Sequence, residues 1–81
     1  MDDNLNYERL SFLGDKVKLG NASKVEKDEF MNMLYQNGSV NKSHYQQYKA
    51  NRNIDEIVNA ALAVGAVVIL GYLIGEIFKG E

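Results

Sequence analysis

The chain has 81 residues, nine basic and eleven acidic, for a formal charge of −2, and it contains no cysteine. Without cysteine there are no disulfides or thiolate metal sites. Up to Asn53, eight basic residues face seven acids, a balance that excludes the basic stripe of a nucleic-acid arm. The mildly negative mean hydropathy averages two unlike stretches: Asn, Lys, Gln, Ser and Tyr abound before Ile54, and Ala, Val, Ile, Leu and Gly after it.

In chain order, Met-Asp-Asp-Asn has neither a basic start nor an apolar run behind it, so no signal peptide is expected there. Leu5, Tyr7, Leu10, Phe12 and Leu13 fit neither a helical stripe nor a strict alternation. Residues 1–22 are therefore expected to form an extended or irregular arm that docks on a partner through those five side chains. Within it, Gly14 and Gly20 bracket Asp-Lys-Val-Lys-Leu, whose alternation with Val17 and Leu19 suits a short strand.

Residues 23–53 predict a helical hairpin. Ser23 followed by Glu26 is a capping box, and Asn37-Gly38 supplies a left-handed stop for a helix over Lys24 to Gln36. Asn41 is a good N-cap for a second helix. Phe30, Met33 and Leu34 share one face; with Val40 in the turn and Tyr45 and Tyr48 opposite they make the expected hairpin core. No proline or glycine separates this second helix from the next, so the two either run on continuously or break at Asn51 to Asn53, with Asp55 as a fresh cap.

The run from Phe30 to Lys49, FMNMLYQNGSVNKSHYQQYK, resembles the SHOCT pattern, a leucine-bearing helix ending in glycine, a short turn and a second helix with an aromatic. Val-Asn stands where that pattern has Ile-Thr, Lys-Ser-His where it has acids, and the closing leucines are missing. The resemblance implies an oligomerisation or docking module, often near a membrane segment, and no catalysis.

Residues 54–79 predict one transmembrane helix. From Ile57 to Gly75 no residue is charged, a length of roughly 28 Å as helix, close to the hydrocarbon thickness of a bilayer. Its position near the end of the chain is that of a tail anchor. Lys42, Lys49 and Arg52 before it outweigh Lys79 after it, so the N-terminal module is expected on the cytoplasmic side. At about 100° per residue, Ala60, Ala61, Gly65, Gly71 and Gly75 share one arc and predict close helix–helix packing, while Leu62, Ile69, Leu70, Leu73 and Ile77 are expected to face lipid. Asn59 is expected to reach headgroups and water, and Tyr72 and Phe78 to form an aromatic belt.

No catalytic residues, metal ligands or cofactor site are expected. His44 is the sole histidine and has no ligand at useful spacing. Ser43 and His44 diverge on a helix, which is wrong for a nucleophile and its base. Asp28-Glu29 suits a solvated helix face.

The expectation is thus an all-α, non-enzymatic, single-pass membrane protein. Its partners would be a lipid bilayer and a larger protein assembly or membrane protein, with self-association included, and neither nucleic acid nor a small-molecule substrate. A minor structural component of a membrane-containing virus fits this description, with the virion membrane as its place. So do a small accessory subunit of a cellular membrane complex and a holin-like permeabilising protein.

Overall fold

The computed structural model describes the backbone of residues 6–79 and the side chains of residues 6–77. Four helices follow one another: α1 (Tyr7–Lys18), α2 (Lys24–Gln36), α3 (Lys42–Lys49) and α4 (Ile54–Lys79). Among the described residues there is no strand. The all-α expectation holds. The irregular arm does not, since its described portion is largely α1 and the Val17–Leu19 alternation is helical up to Lys18.

Local chemistry sets the boundaries. The Asn6 side chain accepts the Arg9 N–H and caps α1. The Ser23–Glu26 capping box forms in both directions, and Asn41 accepts the His44 N–H at 2.7 Å to start α3. The first three helices all end in the same way. Asn21, Ser39 and Arg52 N–H groups reach back to the carbonyls of Lys16, Leu34 and Gln47, with a left-handed residue between: Gly20, Gly38 and Asn51. This is the Schellman closure, which satisfies carbonyls that a helix end leaves orphaned. Asn51 performs it at φ 63° without glycine's freedom, a conformation that asparagine tolerates better than most residues.

The break between α3 and α4 lies where expected, but Asp55 is not the cap. The Ile57 N–H already donates to the Asn53 carbonyl at 3.0 Å, so α4 starts two residues earlier than that cap implies and Asp55 sits inside its first turn.

α1, α2 and α3 all pack on α4. Their shared core contains Leu10, Leu13, Phe30, Met31, Leu34, Val40, Tyr48, Ile57, Val58 and Ala61. Phe30, Leu34, Val40 and Tyr48 take up the expected core positions, whereas Met33 and Tyr45 are only partly buried. Met31 faces inwards instead, fully buried, because the core lies towards α1 and α4 as well as α3. The molecule measures 45 × 25 × 18 Å. Its long axis is little more than the roughly 39 Å that 26 helical residues span, so α4 forms the spine and outruns the bundle.

Candidate functional site

α4 is the feature that sets this chain apart. Ile54–Ile77 is one helix long and apolar enough to cross a membrane, and it is the single such helix among the described residues. Only 22% of its most apolar window is buried within the molecule. The cover is unevenly placed. Ile57, Val58, Ala61 and Gly65 are buried, while every residue from Leu70 to Ile77 is exposed.

One aromatic ring organises the covered half. The Phe30 side chain lies between Gly14 of α1 and Gly65 of α4. A Cβ added at Gly65 would meet the Phe30 Cζ at 3.3 Å and Leu34 Cδ1 at 3.7 Å. At Gly14 it would meet the Phe30 Cε1 at 3.4 Å. Two glycines thus admit one ring that is 1% exposed. Burial of such a side chain is worth about 1.5–3 kcal/mol.

α1 runs antiparallel along α4. Val17 and Val58 border one cleft near the base, and at the other end the Tyr7 and Tyr72 rings stack at 4.1 Å, 10° from parallel. Leu10 and Leu13, both 0% exposed, fill the space between. These two leucines were expected to dock on a partner. They are instead spent on the chain's own core, because the helical turn from Leu10 to Leu13 and on to Val17 places them on one face. Tyr7 is half-buried against Tyr72, Phe12 is 48% exposed, and Leu5 lies outside the described residues. The Arg9 guanidinium and the Lys16 ammonium stand over the Phe12 ring at 5.3 and 5.4 Å from its centroid.

The small-residue arc of α4 splits in the same manner. Gly65 receives Phe30 and Leu34 of α2 and Ala61 is buried in the core, whereas Gly71 and Gly75 have nothing within 4 Å of a built Cβ and Ala60 is exposed. Of the residues expected to face lipid, Leu70, Leu73 and Ile77 are open, at 50–67% exposure. Leu62 and Ile69 lean on the core instead. Asn59 is exposed at the base, and the Phe78 side chain lies outside the described set.

Polar contacts hold the head of the molecule together. Arg9 donates two hydrogen bonds to Glu29, each 2.8 Å, and Lys16 pairs with Glu26 at 2.8 Å. Both pairs tie α1 to α2. The Arg9 guanidinium holds the Glu29 carboxyl below its usual range. Lys16, with the Ser23 backbone N–H, does the same for Glu26. The Tyr48 hydroxyl donates to Asp28, lowering that carboxyl. Burial, aided by the Asp28 charge, keeps the Tyr48 proton in place. Tyr35 and Tyr45 stack at 4.2 Å to close the hairpin.

A shallow cleft of about 500 Å³ between α2 and α3 is bordered by Lys24, Lys27, Asp28, Tyr45, Tyr48 and Lys49. Among the described residues no three His, Asp or Glu side chains gather as a metal site would require. Comparison of the chain with protein-family models, curated proteins and solved structures finds no match.

Proposed function

We propose that this is a non-enzymatic membrane-anchoring protein in which α4 enters a bilayer from its distal end and α1–α3 form a polar head at the surface. One observation carries the reading. From Leu70 to Ile77 every residue is exposed, Tyr72 least, where it stacks on Tyr7, and Glu76 is the one charge. A helix that is apolar all round has no face for water and is matched by hydrocarbon.

The bundle limits how far insertion proceeds. Leu70 to Ile77 spans roughly 12 Å, well short of the roughly 30 Å hydrocarbon core. A full crossing also needs Ile57 to Ile69, and α1 lies along that stretch with Glu8, Arg9 and Lys16. Dragging those charges into lipid is costly, as is leaving Glu76 and Lys79 inside the hydrocarbon when the distal turns enter alone. A single-pass state therefore requires α1 to leave α4, with lipid replacing Leu10, Leu13 and the Tyr7 stack. The head, on the cytoplasmic side, then holds the larger assembly.

Alkaline carbonate extraction of membranes from cells making the full chain tests the reading. The chain is expected in the pellet, and Leu70→Lys with Ile74→Lys is expected to release it. Recovery of the unaltered chain in the supernatant sinks the proposal. Cross-linking Tyr7→Cys to Tyr72→Cys is expected to keep the chain bound while preventing its C-terminus from reaching the far side.

A further inference from the structure

Along the side of α4 that faces away from the bundle, Ala60, Ala63, Val67, Leu70, Ile74 and Ile77 recur at alternating intervals of three and four residues. At about 100° per residue this seam is centred roughly 150° from the buried face of Ile57, Ala61 and Gly65. All six side chains are exposed, Val67 at 68% and Ile77 at 67%. An apolar repeat of three and four is the pattern by which two helices interlock side chains along a common line. Because α1–α3 lie on the opposite side, a second helix can approach without displacing them.

The seam is graded in size, from alanine at the base to isoleucine at the distal end, and it carries Glu56 at its next position towards the base. Both features select the occupant and its direction. Turned end for end, a second copy sets Ala60 against Ile77, Ala63 against Ile74 and Val67 against Leu70, and the same three layers repeat beyond the two-fold axis. Every layer then holds one smaller and one larger side chain, so two straight helices keep a constant separation. A parallel pair would stack alanine on alanine at one end and isoleucine on isoleucine at the other, forcing the helices apart. It would also bring Glu56 against Glu56, a repulsion that the antiparallel pair removes by placing the two carboxylates at opposite ends.

We infer that in water the outer face of α4 pairs with the same face of a second copy of this chain, antiparallel, through the seam from Ala60 to Ile77. A closed two-fold interface of this kind uses one patch twice and leaves no free end for further growth. The pairing concerns the chain before it meets lipid and does not rest on the membrane reading.

Because the natural chain lacks cysteine, single thiols report the geometry directly. Full chains carrying Ala63→Cys and Ile74→Cys are mixed in lipid-free buffer and oxidised. A disulfide between the two variants is expected, and none within either variant alone, since like positions lie roughly 16 Å apart and a disulfide needs Cα atoms within about 7 Å. Val67→Glu is expected to convert the dimer to monomer by light scattering, while Val25→Glu, at an exposed site on α2, leaves it intact. A disulfide within Ala63→Cys alone would mean a parallel pair and overturn the inference. So would a monomer, an aggregate insensitive to Val67→Glu, or helix contacts that appear only with vesicles present.

Discussion

The two halves of α4 are both strongly apolar and have opposite surroundings. Between Ile57 and Gly65 the helix is roofed by Phe30, Leu34, Leu10 and Leu13 of its own chain; from Leu70 to Ile77 it is exposed, with the Tyr7 ring resting on Tyr72. What separates them is the length of the other helices. α1, at 12 residues, reaches Tyr72 and no further, so the last turns extend beyond any cover that the described chain can give. Apolar composition alone therefore does not decide what solvates a helix. The amount of chain available to wrap it does, and here that amount is sufficient for about one half.

The largest expected effect comes from removing the ring that joins the covered half to the bundle. Phe30→Ala is expected to destabilise the fold by about 3–5 kcal/mol, read as a lower denaturation midpoint of the full chain with unchanged slope. In a protein of this size that loss is enough to leave a large unfolded fraction at room temperature. A matched pair of substitutions sharpens the contrast next. Gly65→Ile, against the Phe30 ring, is expected to cost about 1–3 kcal/mol. Gly71→Ile, which meets nothing, is expected to stay within about 0.5 kcal/mol. Equal effects at the two glycines in thermal denaturation would mean that the halves are not differently covered.

The smallest effect is acid sensitivity of the polar contacts that join α2 to α1 and α3. Glu26, Asp28 and Glu29 all have folded-state pKa values below their unfolded ones. Their contribution is therefore fully present above about pH 4.5 and is lost as pH falls through the lower, folded values. Thermal stability is expected to be flat from pH 7 to 5 and to decline below about pH 4. Arg9→Gln with Lys16→Gln should flatten most of that decline. The exposed position of these pairs keeps the effect modest.

Much of this architecture is legible in the amino-acid order, and the part that is not has a physical cause. The capping box at Ser23, the Gly38 stop, the Asn41 cap and the break near Asn51 are local chemistry, decided within a few residues. The long apolar helix is legible from its uninterrupted run. α1 escaped because Phe12 and Gly14 interrupt its stripe: Phe12 points outward beneath two cations, and Gly14 makes room for Phe30. Both are explained by long-range contacts that no local window contains. The same holds for Gly65, whose smallness reads as room for a neighbouring membrane helix and is used by Phe30 and Leu34 of α2. That Leu10 and Leu13 belong to the core follows only once α1 is known to be a helix.

The central claim is that lipid covers the distal half of α4 while the chain itself covers the proximal half. Single cysteines placed at positions 61, 65, 70, 74 and 77, spin-labelled and measured with vesicles for contact with oxygen and with a water-soluble relaxant, test it most directly. Positions 70, 74 and 77 are expected to meet oxygen and exclude the aqueous agent, with 61 and 65 shielded from both. Free access of the aqueous agent to 70, 74 and 77 in the presence of vesicles would contradict it.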